Sequence, residues 1–207
     1  MTLDSYLDPA LEGRARALAD GGRRLLGIAG SPGAGKSTLS AAVAAALRER
    51  AVVVPMDGFH LAQSELERIG RADRKGAPDT FDADGFVALL HRLRAGVGTV
   101  YAPEYRRDLR NPVAGAIAVA PGVPLVVVEG NYLLLESFGF GPVADLLDET
   151  WFVAPDDAVR RERLVARHMA FGKSADAAHA WSHGPDERNA ELVAGTAGRA
   201  DLVVRTT

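Results

Sequence analysis

The chain has no cysteine. That excludes a disulfide framework, a thiol nucleophile and any cysteine-ligated metal site, and it agrees with a reducing compartment. It has no excess of one charge either: the formal net charge is −3 in 207 residues, so nothing draws the whole molecule to nucleic acid or to an anionic membrane surface. No apolar run approaches the ~18 residues that would span a bilayer, and the first residues are acidic and mixed rather than basic then apolar, unlike a signal peptide. Internal repeats and low-complexity segments are missing as well. With 47% hydrophobic residues, the expectation is one cytoplasmic domain of 207 residues with a full core, working on small molecules, with no nucleic-acid or membrane partner. A homodimer stays open.

What the sequence does contain is a complete G-x-x-x-x-G-K-S match, Gly30-Ser31-Pro32-Gly33-Ala34-Gly35-Lys36-Ser37, continued by Thr38. The run 25–29 before it reads as a buried parallel strand, and Leu39, Ala42, Val43, Ala46 and Leu47 follow at helical spacing. Gly30, Gly33 and Gly35 permit the backbone angles that turn successive N–H groups inward. A polyphosphate is then bound by amides and by the positive end of the helix. Ser31, Ala34 and Thr38 belong to the same phosphate-binding stretch, Lys36 reaches the β- and γ-phosphates, and Ser37 gives its hydroxyl to Mg²⁺.

Along the rest of the chain, Leu3, Tyr6, Leu7, Leu11, Ala15 and Leu18 predict an N-terminal helix. The β-branched run 51–54 predicts a strand that ends at Asp57, and 61–80 a short helix and surface loop. A capped helix follows at about 82–95. Residues 99–102 and 116–119 read as two short strands flanking an arginine-rich segment from Glu104 to Asn111, a small excursion from the main sheet. The run 123–128 is the most apolar strand. A short helix over 142–148, a strand over 150–153, helices through about 194 and a last strand over 200–204 complete the pattern. Strands alternating with helices predict an α/β fold with a five-stranded parallel sheet covered on both faces, whose strand ends gather polar groups along one edge.

Three features there carry chemistry. Asp57, at the end of the second strand, can face the γ-phosphate and accept a proton from an incoming hydroxyl; as part of Asp57-Gly58 it can equally be a turn carboxylate. Glu129, ending the most apolar strand, reads as an acid for the water shell of the metal or for a substrate hydroxyl, with a solvent-facing carboxylate as the alternative. Arg160, Arg163 and Arg167 recur at i, i+3 and i+7, one helical stripe able to close on phosphates. A solvated face paired with Asp156, Asp157 and Glu162 is the other reading. Phe59, His60, Lys75, Phe81, Tyr101 and Tyr105 are candidates to line an acceptor pocket. His179 and His183 stand four apart with no third ligand in view.

Together, Gly-Ser-Pro-Gly-Ala-Gly-Lys-Ser-Thr at 30–38, Met-Asp-Gly-Phe-His at 56–60, Arg-Lys-Gly-Ala-Pro-Asp-Thr-Phe-Asp at 74–82 and Val-Glu-Gly-Asn-Tyr-Leu-Leu at 128–134 resemble the phosphoribulokinase, uridine kinase and type I pantothenate kinase superfamily. The likeness covers most of the chain and is nearest to the bacterial branch of nucleoside or fructose-transport-system kinases. It implies a P-loop NTPase fold and an ATP- and Mg²⁺-dependent kinase that phosphorylates a hydroxyl of a small metabolite. By the same resemblance Asp57 matches the general base, and Glu129 with Asn131 belongs near metal and substrate. The arginines in a helical lid at about 156–185 close over ATP, and residues 195–200 lie near adenine. The excursion reads Pro103-Glu104-Tyr105-Arg106 where uridine kinases commonly show Pro-x-Tyr-Asp, and pantothenate kinases of this type are longer; nucleoside, sugar and pantothenate-like alcohol all stay open as acceptors. A nucleotide sensor or switch that phosphorylates no small molecule is the rival reading, although the Asn-Lys-x-Asp segment that reads guanine is absent.

Overall fold

A computed structural model describes residues 7–206. Leu3 and Tyr6 of the expected N-terminal helix lie outside the described residues. The helix itself, α1 (Pro9–Asp20), starts where Asp8 accepts a hydrogen bond from the Ala10 amide at 2.8 Å and Pro9 takes the first helical position.

Five parallel strands form the main sheet: β1 (Arg24–Ala29), β2 (Ala51–Pro55), β5 (Leu125–Gly130), β6 (Glu149–Pro155) and β7 (Leu202–Thr206), in the spatial order β2-β5-β1-β6-β7. Both faces of the inner strands are covered, so they are apolar throughout and still divide their side chains by alternation. Leu26 and Ile28 of β1, with Leu125 and Val127 of β5, join α1 and the helix after the phosphate loop, α2 (Lys36–Leu47). Leu25, Ala29, Val126 and Val128 face the other way, onto Phe86, Leu90 and Leu93 of α4 (Ala83–Ala95). Helix α3 (Gln63–Arg68) is a short piece in the loop after β2. Helix α4 has the expected ends: Asp82 accepts from the Gly85 amide at 2.9 Å, and Gly96 closes it in the left-handed conformation.

Two expectations change in detail. The excursion is a separate antiparallel hairpin whose strands, β3 (Val100–Arg106) and β4 (Asn111–Val119), run well into the arginine-rich segment and leave only Arg107–Arg110 as the turn. Cross-strand pairing uses main-chain groups, so charged side chains on the open face do not prevent it. The register shifts between Ala102 and Glu104, across Pro103, which has no N–H to offer. The short helix expected over 142–148 is a 3-10 turn at Gly141–Leu146, closed by i→i+3 bonds such as Leu147 N–H to Ala144 O at 3.2 Å. Its i→i+3 bonds make it a tighter, shorter-reaching turn than the α-helix expected there.

After β6 come α5 (Asp157–Ala170), α6 (Ala175–His183) and α7 (Pro185–Ala194), which span the segment expected to form a helical lid. Among the described residues no helix is long and apolar enough to cross a membrane.

Candidate active site

The carboxyl ends of β1, β5 and β2, three neighbouring strands, form one wall of a cavity of about 520 Å³. From β1 the chain enters the phosphate loop, where Gly30, Gly33 and Gly35 take φ of 148°, 81° and 96°. Gly33 is required twice over: a Cβ there would meet the Arg160 carbonyl oxygen and Leu164 Cγ of α5 at 2.7 Å. Helix α2 then starts without any side-chain cap, so its first N–H groups have no partner within the helix. Ser31 Oγ donates to Ala190 O of α7 at 3.2 Å, and Ala34 is buried in the core beneath.

Lys36 folds back over this loop. Its ammonium donates to Gly30 O at 2.9 Å, Ser31 O at 3.1 Å and Asn131 Oδ1 at 2.6 Å, all uncharged acceptors. Burial pulls its pKa down to about 8, against the attraction of Glu129 and Asp57 and with the repulsion of Arg167. A cation held among neutral oxygens at the mouth of an uncapped helix is well matched to an anion. Ser37 Oγ donates to Glu129 Oε1 at 3.0 Å, and Ser40 Oγ lies 3.5 Å from Oε2. Burial raises the pKa of Glu129, helped by Asp57 and opposed by the Ser37 hydroxyl and Lys36. In register, Glu129 stands level with Pro55 of β2, two residues before Asp57.

Asp57 occupies a 3-10 turn at Met56–Phe59. The hairpin closes directly on this turn: a Cβ on Gly58 would come within 2.3 Å of Pro103 O. The Asp-Gly pair is thus a turn and a wall of the cavity at once. His60 Nδ1 lies 2.8 Å from Asp57 O, and since a carbonyl only accepts, Nδ1 carries the proton. Burial lowers the His60 pKa, against the pull of Asp57, which favours the neutral ring. That ring packs on Phe81 and Tyr105, with centroids 4.0 and 4.8 Å away. Lys75 lies 5.5 Å from the Tyr105 ring centre and donates to Arg110 O at 2.8 Å.

A family model described as the Phosphoribulokinase / Uridine kinase family matches residues 25–206. The chain belongs to this family. The kinase is 36% identical over 163 residues to the Schizosaccharomyces pombe protein called "Putative uridine kinase", covering 74% of this chain and 69% of that one. It is 28% identical to the pantothenate kinase of Enterococcus faecalis over 210 residues, 88% of this chain and 68% of the relative. Among solved structures, one from Silicibacter sp. TM1040 described as a "putative fructose transport system kinase" superposes with a TM-score of 0.83 at 37% identity, covering 94% of this chain and 98% of that one. The kinase is therefore an ATP-dependent small-molecule kinase with a P-loop fold, and the cofactors of this type are ATP and Mg²⁺. Its residues fit both: the loop, Lys36 and the uncapped α2 suit phosphates, and the Ser37 hydroxyl beside the Glu129 carboxylate is the oxygen donor set that Mg²⁺ takes.

Of the residues singled out by sequence, the cavity of the kinase unites Lys36, Ser37, Asp57, His60, Lys75 and Tyr105 with Glu129, Asn131 and Arg167. Arg163 lies over the loop, its Nη1 3.8 Å from where a Gly35 Cβ would be. Arg160 takes a different place: 3% exposed, it donates to Glu187 at 2.7 Å and Asp157 at 2.9 Å, and ties α5 to α7. Its positions along the helix explain the divergence. Seven residues at ~1.5 Å each put Arg160 about 10 Å from Arg167 on the same face.

Phe59 packs edge-on against Phe86, and Phe81 lies behind His60 against Tyr132 and Phe140; both support the cavity wall without lining it. Tyr101 is 58% exposed and does not line the cavity; alternation alone would give it the face of Tyr105, but the register shift between Ala102 and Glu104 comes between them. Residues 195–200 do not reach this cavity either. Sequence reasoning missed Arg107 and Arg110 in the hairpin turn and Asn189 on α7. The first two carried a signal, as arginines in a turn with a single nearby acid, Asp108; Asn189 carried none.

Proposed function

We propose that this kinase transfers the γ-phosphoryl group of ATP to a hydroxyl of a small metabolite, a nucleoside, a sugar or a pantothenate-like alcohol. One observation carries the reading: Asp57 lines the same cavity as Lys36 and Ser37 of the phosphate loop, so a hydroxyl beside its carboxylate lies next to the phosphates. Asp57 accepts the hydroxyl proton as the acceptor oxygen bonds to the γ-phosphorus and the bond to the bridging oxygen breaks, leaving ADP and a phosphate ester. Lys36 holds the β- and γ-phosphate oxygens, and Arg163 and Arg167 of α5 neutralise charge that spreads over the transferring group. Bound Mg²⁺, held by Ser37 with Glu129 on its water shell, supplies further neutralisation of the phosphates. The site is a metabolite site in a cytoplasmic, single-domain enzyme.

The test is ATP consumption with Mg²⁺ against a panel of hydroxyl metabolites, with Asp57→Asn run in parallel. One compound should stimulate ADP formation, and the variant should lose roughly 10²- to 10⁴-fold of that rate with ATP affinity kept. Equal stimulation in the variant would remove Asp57 from the mechanism.

A further inference from the structure

The protein is acidic as a whole, yet the cavity is not. Lys36, Lys75, Arg107, Arg110, Arg167 and Lys173 line it against Asp57, Glu129 and Asp186. Two of the three acids are already engaged: Asp186 Oδ2 lies 2.7 Å from His168 Nε2, and Glu129 takes the hydroxyls of Ser37 and Ser40. On the cationic side, Lys36 and Arg167, with Arg163 above Gly35, are enough to meet the phosphates. Of the four that are left, Lys173 lies 4.2 Å from the centre of the Trp181 ring, and Lys75, Arg107 and Arg110 come from the hairpin turn and the loop that meets it.

Among the described residues, Lys75, Arg107 and Arg110 have no acid within salt-bridge distance. Lys75 donates only to neutral oxygens, Arg110 O and Gln63 Oε1. Its pKa is lowered by burial and by the charge of Arg110, as befits an uncompensated cation. The Arg107 guanidinium lies over the Phe171 ring, 5.3 Å from its centre. Their neighbour makes the contrast. Arg106 points out of the cavity and pairs with Asp108 at 2.9 Å, so the hairpin has an acid available and spends it elsewhere. Like charges gathered without counter-ions repel, and an anion that enters between them relieves that cost and gains charge-assisted hydrogen bonds.

The wall between them is aromatic. From Asp57 it runs through the His60 ring to the Tyr105 ring and on to Lys75. A compound with its hydroxyl at Asp57 and an anionic group farther along this wall would meet these cations. We infer that the acceptor is a small alcohol that carries its own anionic group, a carboxylate or a phosphate ester, and that Lys75, Arg107 and Arg110 bind that group. The inference rests on the kinase reading above and narrows its acceptor class.

The experiment uses matched pairs that differ in the anion: pantothenate and panthenol, glycerate and glycerol, ribose 5-phosphate and ribose. Binding to the full-length protein with Mg²⁺ and a non-hydrolysable ATP analogue is measured by calorimetry, and ADP formation by a coupled assay. The acid and phosphate-ester arms decide which anion is read. In at least one pair the charged member should bind and turn over roughly ten- to hundredfold better than its neutral partner. Arg107→Gln/Arg110→Gln changes two exposed side chains and should keep the wild-type melting curve, raise KM for the charged compound by a similar factor and leave KM for ATP unchanged. Lys75→Gln should do the same, with partial rescue by Lys75→Arg.

Equal or better use of the neutral member overturns the inference and leaves the kinase reading standing. Binding of the charged member without ADP formation does the reverse. Unchanged KM in the double variant, or no binding by either member of any pair, also overturns it.

Discussion

The phosphate side of the cavity is made by the ends of three strands that are locked in register, β1 with β5 and β5 with β2, followed at once by short turns. The other side, which the proposed function gives to the acceptor, is made by a separate two-stranded hairpin, the loop that carries His60 and Lys75, and helices α5 to α7. Its side chains come from elements far apart in sequence. The first wall acts largely through backbone amides, whose direction is set by conformation. The second acts through side-chain charge and ring faces. A phosphate loop of this kind suits any nucleoside triphosphate enzyme, so the discriminating chemistry of this chain falls to the second wall.

The two walls should fail independently. Gly58→Ala places a Cβ against Pro103 O and pushes the hairpin off Asp57. Because misplacement of ~1 Å costs roughly 10²-fold, kcat/KM for the acceptor should fall by about that factor with ATP affinity preserved. Gly33→Ala is the mirror case. It strains φ at 81° and presses on Arg160 O, so ATP affinity should drop roughly five- to thirtyfold, the equivalent of ~1–2 kcal/mol, while acceptor binding changes little. Titrations of each ligand against each variant decide it; if both variants weaken both ligands equally, the walls are not separable.

Acid–base behaviour separates them further. Lys36 in the free protein loses its proton near pH 8, so ATP affinity should fall several-fold between pH 7 and 9, with proton uptake on binding seen as buffer-dependent heat. The stability sign is opposite. An unfolded lysine keeps its proton to about 10.5, so between pH 8 and 10.5 the unfolded state binds more protons, and this group makes the free protein more stable as pH rises. Lys36→Met should flatten both trends. Smallest of all, Tyr101→Ala on the exposed face of β3 should shift stability by less than ~0.5 kcal/mol and leave KM for either substrate as it was.

This contrast also sets what was legible in the sequence. The phosphate loop, Asp57 and Glu129 could be read because a strand end, a turn and a few contiguous residues define them, and the parallel sheet follows from the same strand and helix alternation. The acceptor wall could be read only in part. His60, Lys75 and Tyr105 do line it, whereas Phe59 and Phe81 support it from behind and Tyr101 faces out. An aromatic residue next to a motif does not say which side of its strand it occupies until the register is fixed. The arginine stripe divides between its two readings for a related reason: spacing puts Arg160 and Arg167 on one face but is silent on what each end of the helix meets. Arg160 meets Glu187 and the phosphate loop backbone, and Arg167 meets the cavity.

The carbonyl of Gly76, next to Lys75, is held from two directions: by the Tyr132 hydroxyl at 2.6 Å, from a fully buried ring at the end of β5, and by the Asn189 amide of α7 at 3.3 Å. Burial also raises the Tyr132 pKa, so the phenol stays protonated and donates at any working pH. If α7 swings away, the longer bond is given up and the shorter one still fixes the loop against the sheet. The loop that carries Lys75 is therefore held on the sheet whether or not α7 moves, and this part of the second wall does not wait for nucleotide to assemble it. In steady-state terms this predicts random rather than compulsory order of substrate entry, visible as intersecting initial-rate lines with each product competitive against its own substrate.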